Sequence, residues 1–238
     1  MKSSNSQTLN VALPEPQSDS DALSDLVYRA VLDALFRGEL QGGDPISELR
    51  IAKTLGVSRT PVHAAVRDLI RDGLLMQEDG RRPCVARITR DDLFEIFEMR
   101  RLLEGEAAFR AAERMDRVTM MRLEKALETL DDREPNDELL LDWSRVDDDF
   151  HEAIAISCDQ KRLSSDILRY RRIHYALNSI RMQAELVPQA VAEHRAILAA
   201  LADRDGERAR AEMQQHLREW QAYYVNLVST AQSSSFRS

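Results

Sequence analysis

Glycine and proline are scarce, with 8 and 7 in a chain of 238 residues, and aromatic residues make up only 5%. Apolar residues nevertheless reach 43%. That mix argues against a β-sandwich or a disordered chain and favours a helical protein with real cores. Cysteine is scarcer still. Cys84 and Cys158 lie far apart in no spaced motif, which argues against a disulfide framework and suggests free thiols in a reducing compartment. No apolar run is long enough to span a membrane. The N-terminal stretch MKSSNSQTLNVALPEPQSDSD has no apolar core of signal-peptide length. The expectation is a soluble, cytoplasmic protein with no membrane partner. Its length suits one large domain or two modest ones.

What is present is charge, unevenly placed. The formal net charge of −8 speaks against a polyanionic partner, but residues 1–90 balance 12 Lys/Arg against 12 Asp/Glu. Residues 46–90 carry nine cations and five anions. A local basic face matters more to a polyanion than the chain average does.

Residues 1–20 are Ser-, Pro- and Asn-rich and read as a mobile tail. From Asp21 the apolar spacing Leu23, Leu26, Val27, Ala30, Val31, Ala34, Leu35 is helical, and Gly38 ends that helix. Ser47 can cap a short helix over 48–55, with Ile46 and Ile51 placed for a hydrophobic staple. After Gly56 and Val57 a third helix begins near Ser58 and ends at Gly73, burying Val62, Val66, Leu69 and Ile70. Two short apolar stretches then flank EDGRR, a β-hairpin with a basic tip. The order helix, helix, tight turn, helix, hairpin is that of a winged helix-turn-helix over residues 21–88. Beyond Thr89 helices are expected at 90–115, 119–132, 136–158, 161–185, 188–203 and 206–230, with breaks at Thr119, Pro135, Asp159, Pro188 and residues 203–206. Six such helices make an antiparallel bundle over residues 89–231, followed by a short tail over 232–238. The fold class expected is therefore mainly α.

Arg59 stands in or beside the first turn of the third helix, where the helix dipole disfavours a cation. A duplex supplies the missing anion. In a helix-turn-helix the start of the second helix enters the major groove, and its free N–H groups face phosphate. Arg59 can pair with phosphate or reach guanine O6 and N7, a contact worth about 1–3 kcal/mol of discrimination. That exceeds the few tenths of a kcal/mol lost to the dipole. Ser58 and Thr60 can donate to phosphate or serve as plain caps. Arg50 can hold the backbone from the preceding helix. Gly80, Arg81 and Arg82 suit a narrow minor groove, because glycine allows close approach and arginine meets the negative potential there.

The stretch ISELRIAKTLGVSRTPVHAAVRDLIRDGLL resembles the winged-helix domain of GntR-type transcriptional regulators. Its Ser-Arg-Thr-Pro-Val core and Gly-Leu ending carry the resemblance, which covers about residues 22–88. The remainder resembles the ligand-sensing (FCD-type) domain of the FadR-type subfamily. By position the resemblance assigns DNA contacts to Arg50, Arg59 and Thr60, and the wing to Gly80 and Arg81. The family usually has an arginine where this chain has His63, so the contact there is expected to be weaker or to reach a different base.

In the second half Asp147 and His151 are four apart and share a helix face. His194 falls in the apolar stripe Val187, Val191, Ile197, Leu198, Leu201, and His216 in Met213, Trp220, Tyr223, Leu227. One such histidine is ordinarily a core residue bonded to a carbonyl or a water. Three, with an inward carboxylate, suit a divalent transition metal, because unpaired buried polar groups are costly and imidazole binds zinc, nickel and iron. Zinc is the first expectation, with nickel, iron or manganese as alternatives. The resemblance implies the same set, Asp147, His151, His194 and His216. Asp148 and Asp149 read as solvated, and His174 fits less well. Family position also implies that Arg100 looks into the same cavity and pairs with a ligand carboxylate, with Glu104 beside it. The plainer reading of these two is an intrahelical surface pair.

Together these point to a metabolite-responsive regulator, a repressor relieved by a small organic acid bound at or near the metal. It would act as a homodimer on a roughly palindromic double-stranded operator. Two rivals remain: a metal-independent sensor, with the histidines as core groups, and a metal-dependent hydrolase. Against the hydrolase, no separate general acid or base is evident near the four ligands.

Overall fold

The computed structural model describes residues 20–87, 89–177 and 182–235. The expected N-terminal tail, apart from Ser20, lies outside them. The chain divides into two compact units, residues 1–88 with 172–179, and residues 89–171 with 180–238.

In the first unit, helix α1 (Ser20–Phe36) packs on α3 (Arg59–Arg71), and α2 (Glu48–Leu55) on the same helix. Their apolar faces, with Val27, Val31, Leu35, Ile51, Leu55, Val62, Val66 and Leu69, form one buried core. The start of α2 follows from its sequence. Ser47 Oγ accepts the Arg50 backbone N–H at 3.3 Å, while Ile46 and Ile51 are both buried. Gly56 ends α2 in the left-handed region (φ +65°), its N–H bonded to Ala52 O. A side chain there would be strained, so the glycine is what permits the tight turn.

The hairpin is real but minimal. Strands β1 (Leu75–Met76) and β2 (Cys84–Val85) pair antiparallel, Leu75 opposite Val85 and Met76 opposite Cys84. The loop before α2 supplies a third edge. Pro45 bridges Cys84, Gly43 and Ile46 donate to Val85 O and Pro83 O, and Asp44 O accepts from Val85 N. The two-residue strands are thus anchored on both sides. Asp72, which follows α3, is buried. Its Oδ2 accepts the Tyr28 hydroxyl at 2.8 Å, and the Arg172 guanidinium lies 3.6 Å away.

The second unit is a helical bundle of α4 (Arg90–Arg114), α5 (Arg117–Glu128), α6 (Asp137–Ser157), α7 (Lys161–Leu177), α8 (Val187–Ala202) and α9 (Gly206–Ser235), with a 3₁₀ turn at Ala184–Leu186. From Arg172 onward α7 counts with the first unit. Helix α4 lies along α9. The row Ala107, Ala108, Ala111, Ala112 is fully buried, so small side chains permit the close approach. A Cβ on Gly105 would come within 2.8 Å of Gln214 Cγ.

Three expected boundaries shift. The helix expected to start at Thr119 starts at Arg117, because Asp116 is the cap and its carboxylate takes the Thr119 N–H at 2.9 Å. The helix expected over 161–185 is described only to Leu177; residues 178–181 lie outside the described ones, and the chain resumes with the 3₁₀ turn. The last helix runs to Ser235, into the stretch expected to be a tail.

Candidate functional site

The first candidate surface is the outer face of α3. Pro61, Val62, Ala65, Val66 and Leu69 are buried, whereas Arg59, Thr60, His63 and Arg67 are exposed on the other side. Arg59 is the first residue of the helix, and Ser58 takes the N-cap backbone conformation. The Ser58 hydroxyl makes no capping bond, which corrects the plain-cap reading of that side chain. The first-turn N–H groups therefore lack a side-chain acceptor at the place where a helix start favours an anion. Arg50 is exposed on α2. At the hairpin tip Gly80 has φ +72°, and Arg81 and Arg82 are exposed. Arg81 pairs with Glu78 at 2.6 Å, an exposed contact of the kind that contributes little. Arg71 pairs with Asp68 at 2.9 Å. The ring of His63 meets Glu48, Nδ1 to Oε1, at 3.1 Å.

The second candidate site lies inside the bundle. Asp147 and His151 come from α6, His194 from α8 and His216 from α9. One ligand atom from each of the four lies within 4.8 Å of every other. The ring centroids are 5.1 Å apart for His151–His194, 4.9 Å for His194–His216 and 5.4 Å for His151–His216. Asp147 Oδ1 sits 3.5 Å from His151 Nε2 and 3.4 Å from His194 Nε2. Phe150 stacks on His194 at 4.2 Å, and Trp143 lies 4.9 Å from the same ring.

Around these four stands a shell that sequence reading missed in part. Glu104 is fully buried on α4. Its Oε1 accepts Arg100 Nε at 2.7 Å, and its Oε2 takes His151 Nδ1 in a short hydrogen bond. The Arg100–Glu104 pair is intrahelical, as its spacing allowed, but it is buried at 2% exposure on both sides rather than superficial. Glu193, next to His194 in sequence, accepts from His216 Nδ1 at 2.7 Å and from Trp220 Nε1 at 2.9 Å. Each carboxylate thereby directs its histidine's Nδ1 proton outward and leaves Nε2 to face the centre, the arrangement that orients metal-ligating imidazoles. Arg171, on α7, donates through Nη2 to Asp147 Oδ2 at 2.7 Å and Asp148 Oδ1 at 2.5 Å. Asp148 is thus paired, not merely solvated, while Asp149 is exposed. His174 belongs to the first unit and lies outside this cluster. Arg171 sits in the basic run RYRR, which gave no sign of pointing inward.

The electrostatics follow the geometry. Burial pushes His194 down to about 3, against the pull of Asp147. His216 is lowered as well, chiefly by burial. Both are therefore neutral, as a ligand must be. Burial would raise Asp147, but the Arg171 guanidinium beside it, with the contacts to His151 and His194, holds it well below the usual carboxylate range. Burial likewise opposes ionisation of Glu193, yet His216, Gln189 and Trp220 hold it down to about 2.

The four residues fit a divalent transition metal. His151 Nε2 and both ring nitrogens of His194 are buried without a hydrogen-bond partner, a cost that a ligated cation would remove. Three imidazoles and one carboxylate are a donor set for zinc, nickel or iron.

Comparison with known proteins converges on one class. Residues 23–85 match the family model of the bacterial regulatory proteins, gntR family. Residues 95–219 match the FCD domain. The HTH-type transcriptional regulator YdhC of Bacillus subtilis is 27% identical over 195 residues, covering 79% of this chain and 85% of that protein. The HTH-type transcriptional repressor GlaR of Escherichia coli is 25% identical over 203 residues, covering 80% and 90%. Among solved structures, E. coli McbR/YncC aligns with a TM-score of 0.72 at 21% identity, covering 88% of this chain and 98% of that one. A GntR regulator from Rhodococcus sp. RHA1 aligns at 0.66 and 24% identity, covering 86% and 98%. Both have the same fold. No helix among the described residues is long and apolar enough to cross a membrane.

Proposed function

Because the chain belongs to the GntR family of bacterial regulatory proteins, carries an FCD domain and is a transcriptional regulator rather than an enzyme, we propose that it is a cytoplasmic repressor. In this reading it binds a palindromic operator as a homodimer and is released by a small organic acid. Arg59, Thr60 and His63 enter the major groove, with Arg59 pairing with a guanine. Ser58 and Arg50 hold phosphates, and Gly80, Arg81 and Arg82 lie along the minor groove. The observation that carries this is the two-sided character of α3: one apolar face is buried and one face of Arg59, Thr60, His63 and Arg67 is exposed.

In the second unit Asp147, His151, His194 and His216 would hold a divalent transition metal, zinc before nickel, iron or manganese. Such a cation supplies a positively charged acceptor for an oxygen ligand when its coordination is left incomplete by the protein. Glu104 and Glu193 orient the ligands from behind. Of the expected effector contacts, Glu104 serves mainly to position Arg100 and His151, since both its oxygens are taken. Arg171 joins Arg100 as a carboxylate partner: its Nη1 is buried without a hydrogen-bond partner, and a carboxylate would satisfy it.

The DNA assignment is tested by selecting bound fragments from genomic DNA with wild type, Arg59→Ala and Arg81→Ala. The expected result is a palindromic motif for wild type and loss of selectivity for Arg59→Ala. Arg81→Ala should keep the motif but bind more weakly, with a salt dependence reduced by about one unit of slope. Equal selectivity in wild type and Arg59→Ala would overturn the assignment.

A further inference from the structure

One side chain on the outer face of α3 has its hydrogen-bonding character set by a neighbour. His63 stands one turn beyond Arg59 on the exposed face, and its side chain is 63% exposed. Its Nδ1 lies 3.1 Å from Glu48 Oε1. Glu48 is only 21% exposed and occupies the first turn of α2 directly after the Ser47 cap. The positive end of that helix favours a carboxylate there. An ionised carboxylate can only accept, so Nδ1 carries the proton. A neutral imidazole has one proton, and Nε2 is then a lone-pair acceptor. Among the described residues Nε2 has no hydrogen-bond partner within the protein.

We propose that His63, its tautomer fixed by Glu48, reads one base pair in each half-site by accepting a hydrogen bond from the exocyclic amino group of adenine or cytosine. The inference rests on the reading of α3 given above. Adenine N6 and cytosine N4 are the donors that the major groove presents, whereas guanine N7 and O6 are acceptors and would oppose the Nε2 lone pair. An arginine at this position, having only donors, reads the opposite pattern. The chain thereby asks for a different base pair where arginine would select guanine. Glu48 is a positioning residue in this scheme and touches no base.

The experiment uses the full chain at pH 8. Duplexes are selected from a random pool with wild type, His63→Ala and His63→Arg. One position per half-site should change preference between wild type and His63→Arg while the rest of the motif persists, which also reports that the variant is folded. At that position the amino group is then removed, with purine in place of adenine or pyrimidin-2-one in place of cytosine. Wild type should lose about fivefold in affinity, the worth of one net hydrogen bond. His63→Ala should lose nothing further, and Glu48→Ala should lose less than wild type. An unchanged motif in His63→Arg would overturn the proposal. So would insensitivity to the amino group, or a wild-type loss that follows removal of a purine N7 instead. Failure of wild type to select any motif would overturn the α3 reading itself, and this inference with it.

Discussion

Replacing Glu104 with glutamine removes one negative charge and leaves the side chain's shape nearly unchanged. The carboxylate is 2% exposed and lies between two partners, Arg100 Nε at 2.7 Å and His151 Nδ1. Burial favours its neutral form, but Arg100 and His151 outweigh burial and keep it ionised, well below the usual carboxylate range. Two effects of different size follow. Arg100, also 2% exposed, becomes a buried cation without its counter-charge, which costs about 3–5 kcal/mol. Set against a total stability of about 5–15 kcal/mol, that is a large fraction. His151 keeps an acceptor, since the glutamine carbonyl can still take its Nδ1 proton, but it loses a charged one. Metal affinity should fall by about 10–100-fold, as for other changes behind a ligating histidine. Denaturant unfolding measures the first effect, and competition with a metal-binding dye the second. The companion variant Arg100→Met with Glu104→Gln removes both charges and should recover much of the stability while leaving the metal affinity low. A single variant within about 0.5 kcal/mol of wild type would refute the buried pair. A double variant that restored metal binding would refute the role assigned to the Glu104–His151 contact.

Other consequences can be checked separately. His194→Ala should abolish tight metal binding while operator binding by the first unit persists in metal-free buffer, read by elemental analysis and gel shift; loss of both would mean that the histidine is a structural group. In chelator-treated protein, stability should fall as pH drops below about 6.5, because the unfolded imidazole of residue 194 takes a proton that the folded one, pushed down to about 3, refuses. The contribution is neutral above that range and grows unfavourable down to the folded value. The melting temperature of wild type should therefore fall relative to that of His194→Phe as pH drops through that range, and parallel curves would contradict the burial argument. Gly56→Ala places a side chain at φ +65° with open space around it, so it should cost about 1–2 kcal/mol through backbone strain alone; no change in denaturant midpoint would show that the turn relaxes.

The helix-turn-helix was legible because its determinants are local. The apolar spacing of Val62, Val66 and Leu69, the left-handed glycine at 56 and the Ser47 cap each act within a few residues of themselves. The third edge of the wing was not legible, because residues 43–46 pair through backbone atoms, and Pro45 gave no side-chain signal of a bridge. In the bundle the four candidate ligands stood out as polar residues within apolar stripes. Their supporting groups did not. Arg100 and Glu104 have the i, i+4 spacing of any surface ion pair, and only the packing of α4 reveals that both are buried. Glu193 and Arg171 sit among other charged residues, and the geometry that turns them inward is tertiary. Likewise Asp116 and Thr119 are both reasonable helix-start residues, and the bond between them decides which one caps.

The proposal of a metal-dependent sensor meets its most direct test in elemental analysis of the untagged full-length protein. One divalent transition metal per chain is expected, lost on chelation, recovered on reloading and absent from His194→Ala. Protein that carries none and cannot be loaded would leave Asp147, His151, His194 and His216 as core polar groups and contradict the account.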